Sequence, residues 1–297
     1  MTDKEKISDK AREIGFDLIG FAVYELLDEA AKFSHEAAES GKFATLEYLE
    51  NNIPLKRDPR LILPGAKSVI ALAKHYPAAA NYAPGTLKVA RYALLPDYHA
   101  RLRPMLNELA EYIKAETGGE VATSLDGGKA FEKVWAERAG LGFQGRNSLL
   151  ITPKFGSFIN LAVIFTVAEF PPDTPAKSLC GKCRKCVESC PNTAISPNKI
   201  IDLRRCISYH TIENKGEIPP EINLAGNAYG CDICQEVCPH NRRAIVENFS
   251  EAPEGGLSPE ELLAMTPEEF NRKYADSPIK RIKLHRLKRN ILHCLNQ

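Results

Sequence analysis

The chain has 297 residues, of which 44% are hydrophobic and 26% are charged. These proportions are ordinary for a globular protein, leave room for two domains and exclude a disordered chain. A formal net charge of +1 excludes a surface that attracts nucleic acid as a whole, so such binding would require a local basic patch. The longest apolar run, 158–168, is interrupted by Asn160 and Thr166 and is far shorter than the ~20 residues that cross a bilayer.

Helical and strand patterns alternate through residues 1–172. Apolar periodicity predicts helices over 4–14, 26–38, 97–117 and 130–139, and strands over 18–23, 68–73, 121–125, 148–151 and 159–167. The basic, proline-bounded stretch 54–60 is expected to be an ordered loop. Alternation of this kind predicts an α/β domain.

A proline-rich linker, 171–175, marks the clearest domain boundary. It predicts an α/β domain over 1–172, a cysteine-rich domain over 173–250 and a short helical tail over 251–297. The tail is expected to contain two helical stretches, one of them beginning at Ser258. The chain starts with a charged segment that has no apolar signal core behind it, so a cytoplasmic location is expected.

Two cysteine runs dominate the second half of the chain. The first reads C-x2-C-x2-C-x3-C-P, the spacing with which bacterial ferredoxins hold two clusters by exchanging the fourth ligand. The second reads C-x2-C-x3-C-P and lacks one ligand, which Cys206 is the only free upstream cysteine to supply. Exchange of fourth ligands assigns one 4Fe-4S cluster to Cys180, Cys183, Cys186 and Cys238, and the other to Cys190, Cys206, Cys231 and Cys234. These residues predict a ferredoxin-like domain with two 4Fe-4S clusters.

Structural zinc and disulfide bonds are the alternative uses of these cysteines. Zinc sites usually take their ligands as two separated pairs, whereas here three cysteines fall within seven residues, 180–186. Disulfides require an oxidising compartment, which the start of the chain does not indicate. The remaining cysteine, Cys294, is expected to pack as a small apolar side chain on a terminal helix.

Two features of the first domain have both a functional and a structural interpretation. The loop 140–145 matches G-x-G-x-x-G, but it follows a helix and precedes a strand, the reverse of a dinucleotide site. Its glycines suit close approach of the backbone to a large flat ligand. Asp126 ends a strand and is followed by Gly127 and Gly128, so it is either a turn residue or, if burial raises its pKa, a proton donor.

The segment 279–289 holds six Lys or Arg and no acid. Leu284, Leu287, Ile291 and Leu295 form an apolar stripe, which predicts an amphipathic helix with a positive polar face. Such a face is usually only solvated. Together with Lys182, Arg184, Lys185, Arg242 and Arg243 near the clusters, it is also a candidate phosphate-binding surface.

Several motifs are more specific than the cysteine spacing. They lie at 56–60, 64–70, 91–93, 97–99, Asp126, 132–133, 139–142, 145–147 and 155–157, and the most specific at 205–209, 230–235 and 237–239. Taken together they resemble the epoxyqueuosine reductase family, cobalamin-dependent iron–sulfur enzymes that complete queuosine in tRNA. The resemblance covers nearly the whole chain and is to a short form without a C-terminal helical-repeat domain.

The resemblance implies that the α/β domain binds cobalamin against the cluster domain. The clusters would hand single electrons to cobalt, and the resulting Co(I) would attack the epoxide. Asp126 would protonate the departing oxygen, which leaves as water after two electrons and two protons have been consumed. The residues expected from their motif positions to contact the corrinoid are Arg57, Tyr98, Asn147, Ser157 and Ser208.

The resemblance also implies a tRNA substrate with epoxyqueuosine at the wobble position, an external low-potential electron donor and no membrane partner, and the chain is expected to be a monomer. The phosphate contacts are expected to include Arg281, Lys283, Arg286, Lys288 and Arg289.

Two other functions fit parts of the sequence. A cobalamin-dependent reductive dehalogenase or related small-molecule reductase also combines cobalamin with two clusters, although such proteins are often exported with a twin-arginine signal, which is not found here. A two-cluster electron carrier would bind no tetrapyrrole and would leave the α/β domain without a role.

Overall fold

The structure, a computed structural model, describes residues 2–126, 128–247 and 253–297. Gly127 therefore lies outside the described residues. The helices of the N-terminal part are α1 (Asp3–Ile14), α2 (Asp28–Glu39), α3 (Glu47–Asn51), α4 (Ile53–Arg57), α5 (Tyr98–Thr117) and α6 (Glu132–Arg138). Its strands are β1 (Leu18–Val23), β2 (Ser68–His75), β3 (Asn81–Tyr82), β4 (Lys88–Val89), β5 (Val121–Ser124), β6 (Phe143–Gln144), β7 (Leu150–Ile151) and β8 (Ile159–Thr166).

Strands β1, β2, β8 and β5 form, in that order, a four-stranded sheet whose neighbouring pairs are antiparallel. Phe21 of β1 pairs with Ile70 of β2, which pairs in turn with Ile164 of β8. The predicted mixture of helices and strands is confirmed. Alternation of helices and strands along the chain is usual in parallel sheets, whereas the strands of this sheet are antiparallel. Apolar runs such as 68–73 are buried throughout, and this burial produces the sequence pattern whatever the direction of the neighbouring strand.

Helices cover both faces of this sheet. Along β2, alternate side chains point to opposite faces, so that Ile70 packs with α1 and α5, whereas Val69 packs with α6. Trp135 of α6 is fully buried, with its ring edge-on to Phe165 of β8. Because β5 is an edge strand, the chain leaves it at the rim of the sheet, where Asp126 lies.

The stretch 54–60 is helical, contrary to the predicted loop. Helix α4 ends within it, and a 3-10 turn, Pro59–Leu61, follows directly. Pro54 and Pro59 each stand in the first turn of their helix, where a backbone N–H is not needed. Prolines that were interpreted as loop boundaries therefore begin helical turns.

The cysteine-rich part contains only short regular elements. They are α7 (Lys185–Glu188), β9 (Asn227–Tyr229), α8 (Ile233–Glu236) and α9 (Arg242–Glu247), with 3-10 turns at Leu203–Arg205 and Pro239–Asn241 and a π-helical turn at Tyr209–Glu213. Helices α7 and α8 each follow the opening cysteines of a run. The predicted linker, 171–175, has neither helix nor strand, but Asp173 accepts hydrogen bonds from Lys4 Nζ at 2.7 Å and from the Phe21 N–H at 2.9 Å. The linker is thus fixed onto the first domain.

The tail contains a short strand and three helices, whereas two helical stretches were predicted. These elements are β10 (Glu254–Gly255), α10 (Pro259–Ala264), α11 (Pro267–Lys273) and α12 (Lys283–Leu295). The predicted helix over 279–289 is divided, because Pro278–Ile282 forms a 3-10 turn and Lys283 has a φ of +59°. Of the expected apolar stripe, Leu284, Leu287 and Ile291 are buried, whereas Leu295 is exposed.

The tail packs against both other parts of the chain. Its buried residues share one core with Val89 and Ala93 of the N-terminal part and with Tyr229 of β9. Strand β4 pairs with β9, and β3 pairs with β10. The predicted boundary between 250 and 251 lies outside the described residues. In the described part of the chain, no helix has the length and apolar character needed to cross a bilayer.

A completely buried amide is one of the groups that join α12 to the cluster-bearing part. Asn290 is completely buried, and its Nδ2 donates to the carbonyl oxygens of Thr211 and Ala228, each at 2.9 Å. Replacing Asn290 with Ala leaves both acceptors without a donor, so Asn290→Ala should lower the free energy of unfolding by about 1–3 kcal/mol, measured by denaturant unfolding. The matched control is Asn271→Ala, which removes an exposed amide on α11. Equal stability of the two variants would contradict this role.

Candidate active site and cluster ligands

The first predicted ligand set meets in space. Cys180, Cys183, Cys186 and Cys238 line one cavity, although the last of them is far along the chain from the other three. Arg146, Lys185 and His240 line the same cavity. Since the structure brings the fourth thiol from the second cysteine run, the arrangement fits the exchange of fourth ligands, and the ligand role of these cysteines stays a prediction.

The members of the second predicted set also influence one another electrostatically. The thiol of Cys231 lies close enough to Cys206 and Cys190 for their charges to affect its pKa, which burial raises to about 12. Burial likewise raises the pKa of Cys206 and of Cys234. Buried thiols of this kind lose their protons when a metal replaces them. The charge of Cys186 also raises the pKa of Cys234, so the two sets are neighbours.

Backbone N–H groups point at the sulfurs of both sets. The N–H groups of Ser208 and Tyr209 approach Cys206, and those of His240 and Asn241 approach Cys238. Further N–H groups approach Cys186, Cys190 and Cys231. Donors aimed at sulfur stabilise a thiolate and the anionic cluster that it would hold. The donor chemistry of these sites therefore fits iron–sulfur clusters.

Cys294 behaves as the sequence predicts. It lies on α12 and packs against the apolar cluster of Ile207, Ile218, Ile222 and Leu224. Burial in that apolar surrounding raises the pKa of the Cys294 thiol to about 12, so it remains a neutral, small side chain.

Asp126 is held by two aromatic neighbours from the start of α5. The Tyr98 hydroxyl donates a short hydrogen bond to Asp126 Oδ2, and His99 Nε2 lies 3.6 Å from the same oxygen. Asp97 Oδ1 lies 2.9 Å from His99 Nδ1 and also accepts the His99 N–H, which caps α5. Burial and the Asp126 carboxylate raise the pKa of Tyr98, so the phenol keeps its proton and remains a donor. The side chain of Asp126 itself is 59% exposed, so this structure does not show the burial that a proton donor was expected to have, and the role stays a prediction.

A second acid and a lysine follow at the start of α6. Glu132 accepts a hydrogen bond from Ser124 Oγ at 3.1 Å, and burial raises its pKa. Lys133 is accessible to solvent, and desolvation by the surrounding protein lowers its pKa against the attraction of Glu132 and Asp126. Glu132 and Lys133 therefore lie near Asp126. Sequence reasoning included this pair only as part of a motif, because their proximity to Asp126 depends on the fold.

The predicted corrinoid contacts fall into different environments. Tyr98 is bonded to Asp126, and Ser208 donates to the sulfur of Cys206. Arg57 forms an ion pair with Asp28, with its Nε 2.6 Å from Oδ1. Neither Arg57 nor Asp28 is buried in this pair.

Asn147 and Ser157 instead join the first domain to the cluster-bearing part. Asn147 Nδ2 donates to the Cys234 carbonyl oxygen at 3.3 Å, and Ser157 Oγ donates to Gln235 Oε1 at 2.8 Å. The completely buried Asn241 donates to the same Ser157 Oγ and accepts the Ser157 N–H, each at 2.8 Å. The polar groups of Asn147 and Ser157 are therefore used within the protein.

The glycines of 140–145 are needed for packing within the chain, and the predicted approach of a flat ligand to this loop stays a prediction. A Cβ atom at Gly142 would lie 2.3 Å from the Ile151 carbonyl oxygen, and one at Gly145 would lie 2.6 Å from the Ile151 side chain. Strands β6 and β7 approach each other at this point. The space that the glycines leave is thus occupied by the neighbouring strand.

The five predicted tRNA-binding cations do not share one environment. Arg286 donates to the Ile212 carbonyl oxygen at 3.0 Å, Arg289 to the His210 carbonyl oxygen at 2.8 Å, and Lys288 to carbonyl oxygens of 263 and 265. These three side chains hold α12 to its neighbours. Arg281 forms an exposed ion pair with Glu213 at 2.7 Å, and Lys283 is exposed. The predicted phosphate contact therefore remains a proposal for Arg281 and Lys283.

The fold and the two thiol sets define a redox protein with a double-cluster domain attached to a mixed α and β domain. A family model described as "4Fe-4S double cluster binding domain" matches residues 179–241, and one described as "Epoxyqueuosine reductase QueG, DUF1730" matches 56–126. An epoxyqueuosine reductase of Gloeobacter violaceus is 36% identical over 96% of this chain and 93% of its own. One of Cellulophaga algicola is 36% identical over 98% of this chain and 99% of its own. The chain belongs to the epoxyqueuosine reductase family.

Solved structures agree with this assignment. A crystal structure of selenomethionine-labelled epoxyqueuosine reductase matches with a TM-score of 0.90 and 30% identity, covering 98% of this chain and 80% of that one. Another, of epoxyqueuosine reductase with an epoxyqueuosine-modified tRNA-Tyr stem loop, matches with a TM-score of 0.88 and 30% identity over the same shares of the two chains. A catabolic reductive dehalogenase shares the fold at 18% identity and a TM-score of 0.53, covering 95% of this chain and 37% of its own.

The exchange of fourth ligands predicts selective cluster loss. Cys206→Ala should remove the cluster of the more buried set and Cys238→Ala the other, so each should lower the iron content from about eight to about four atoms per chain. Iron analysis gives the content, and the electron paramagnetic resonance spectrum of the reduced protein should differ between the two variants. Cys294→Ala is the matched control and should keep all of its iron. Full iron content in either ligand variant would refute the assignment.

Proposed function

We propose that this protein reduces epoxyqueuosine to queuosine at the wobble position of tRNA, using cobalamin and two 4Fe-4S clusters. The observation that carries the proposal is the arrangement of Asp126, Tyr98 and His99 at the rim of the sheet, in a chain that also brings eight thiols together in two neighbouring sets. Such an arrangement provides a route for electrons and a separate source of protons, and removal of an epoxide oxygen as water consumes both.

The cofactors would be held by different parts of the chain. The two cysteine sets would ligate the clusters, and the surface around Lys133 and Asp126 would receive the corrinoid beside Tyr98 and Ser208. Bound cobalamin and clusters would supply the low-potential electrons of the reaction. The exposed polar groups of Lys133 and Asp126 fit a large polar cofactor.

Asp126 would deliver the proton to the departing oxygen. The hydrogen bond from Tyr98 fixes its carboxyl group, and His99 lies close enough to return a proton to the same oxygen between two transfers. Asp97 would hold the His99 ring by accepting its Nδ1–H, which leaves Nε2 facing Asp126. Nε2 would return a proton to Asp126 after the ring has taken up a second proton from solvent. Each of these residues acts on protons or on position, and none of them needs to change its oxidation state.

The RNA would be bound at the Asp126 end of the molecule. Arg281 is near enough to Tyr98 and Tyr48 for its charge to lower the pKa of each phenol against larger effects that raise it. Exposed cations at this position suit phosphate groups on either side of a nucleotide that is turned toward Asp126. We further propose a monomer that works in the cytoplasm, with the functional division 1–172, 173–250 and 251–297, and with an external one-electron donor.

Replacing Asp126 tests the proton donor. Asp126→Asn keeps an acceptor for the Tyr98 hydroxyl but has no transferable proton, so turnover of an epoxyqueuosine-containing anticodon stem loop should fall about 10²–10⁴-fold. Cobalamin binding, followed by absorption, and RNA affinity should stay within about twofold of the original protein. The matched control is Asp9→Asn, which changes an exposed carboxylate on α1 and should leave turnover unchanged. Turnover by Asp126→Asn at the original rate would refute the role, and absence of turnover in the unchanged, fully loaded protein would refute the function.

A second test, of the RNA contact, compares two pairs of basic residues in the tail. One pair is exposed, and the other bonds to backbone carbonyl groups. Arg281→Gln with Lys283→Gln should weaken stem-loop binding and reduce the slope of log Kd against log salt by about 1.5, because about two phosphate contacts are lost. Fluorescence anisotropy at several salt concentrations measures this slope. Arg286→Gln with Arg289→Gln changes charge equally but should chiefly lower stability, since those cations bond to backbone carbonyl groups. An unchanged slope in the first pair would exclude Arg281 and Lys283 from RNA binding.

A further inference from the structure

The segment 177–188 carries an exposed basic surface with an apolar centre. Its cations are Lys177, Lys182, Arg184 and Lys185, all exposed, and its one acid is Glu188. Leu179 lies among them with 61% of its surface exposed, the largest value among the large hydrophobic residues of the described chain. We call this surface the 177–188 patch. An exposed leucine in a segment rich in exposed like charges is typical of a contact surface for a partner of opposite charge.

The 177–188 patch includes three cysteines of one of the two thiol sets. Cys180, Cys183 and Cys186 belong to the segment itself, and Lys185 lines the cavity that these cysteines share with Cys238. Arg146 binds the segment by donating to the Gly181 carbonyl oxygen at 2.8 Å. It also donates to the carbonyl oxygen of Pro197, which follows the segment, at 2.9 Å. A protein that docks here would come directly against this set.

The other thiol set lies deeper and leads toward Asp126. Cys234 is close to Cys186 of the first set, and Cys206 of the second set receives the N–H of Tyr209. Tyr209 begins the π-helical turn that ends at Glu213, the ion-pair partner of Arg281. The contacts therefore run in order from the patch, through both thiol sets, to the end of the molecule at which RNA is proposed to bind.

We propose that the 177–188 patch is the docking site of an acidic one-electron donor protein. This inference rests on the proposed function and adds its electron-entry point. In each encounter the donor is oxidised by one electron and the cluster of the outer set is reduced by one electron, so two encounters supply one turnover. No proton has to cross this contact, because the protons of the reaction enter through Asp126. Opposite charges bring the partners together, and Leu179 provides the apolar contact at the centre.

Charge reversal of the patch tests the proposal with the fully loaded protein. The variant Lys177→Glu, Lys182→Glu, Arg184→Glu, which leaves the lining of the cysteine cavity unchanged, is compared with a control that reverses three exposed cations on other helices, Lys32→Glu, Arg103→Glu, Arg272→Glu. The probe is an acidic flavodoxin in its fully reduced form. Stopped-flow absorbance follows reduction of the clusters at low and high salt, and isothermal calorimetry measures binding of oxidised flavodoxin to the oxidised protein.

The patch variant should show at least about a tenfold fall in the second-order rate of cluster reduction at low salt, converging with the control at high salt. Flavodoxin binding should weaken in parallel. Reduction by photoexcited deazaflavin, and single turnover of the stem loop after such reduction, should be unchanged. That result separates the two proposals, since loss of turnover under chemical reduction in the unchanged protein would reject the proposed function instead.

Two outcomes would overturn the docking proposal. One is equal flavodoxin kinetics and binding in the patch variant and the control. The other is weakened binding of the anticodon stem loop with unchanged flavodoxin kinetics, which would make the patch an RNA surface. Leu179→Ala provides a second variant without a charge change, and it should weaken flavodoxin binding while leaving the salt dependence of the rate as it was.

Discussion

The ligation of two clusters by one short segment is the constraint on which the rest of this structure depends. Each predicted site takes a cysteine from both runs, so neither run completes a site alone. The chain must therefore return from Cys238 to the cavity lined by Cys180, Cys183 and Cys186. In the cysteine-rich part, short turns replace long helices and strands, and these turns direct N–H groups toward sulfur. The buried Asn241, next to these ligands, then ties the segment to the first domain through Ser157.

The positions of the basic side chains on α12 follow from the same constraint, the ligation of two clusters by one loop-rich segment. A loop-rich segment leaves many carbonyl oxygens without partners in helices or strands, and buried carbonyl groups need donors. Arg286 and Arg289 of α12 supply donors to the π-helical turn that follows Cys206. Only part of the basic tail is therefore left for RNA. We propose that electrons enter at the exposed basic segment 177–188 and that the modified base binds near Asp126.

The sequence predicts what depends on local pattern. Strand β1 occupies the residues expected from its apolar run, and the four cysteines of the first predicted set line a common cavity. Spacing could not reveal partners that are distant along the chain. Arg286 bonds to a carbonyl group 74 positions away, and Asp126 meets Tyr98 across 28 positions. The relative direction of neighbouring strands could not be predicted from the sequence either. Burial on both faces of a sheet produces the same apolar pattern in parallel and antiparallel sheets.

The loop 140–145 shows a further limit. Its glycines signal that something approaches the backbone closely, but a glycine does not identify what approaches. In the structure the approaching group is Ile151 of the same chain. The cluster-bearing part has the opposite property, since thiol spacing specifies iron–sulfur chemistry before any coordinates are known.

The most direct test of the central claim is anomalous diffraction at the iron absorption edge from crystals of the fully loaded protein. The account predicts two separate iron centres, one bonded to Cys180, Cys183, Cys186 and Cys238 and the other to Cys190, Cys206, Cys231 and Cys234. A single centre, or one centre bonded to the four cysteines of the first run alone, would contradict it.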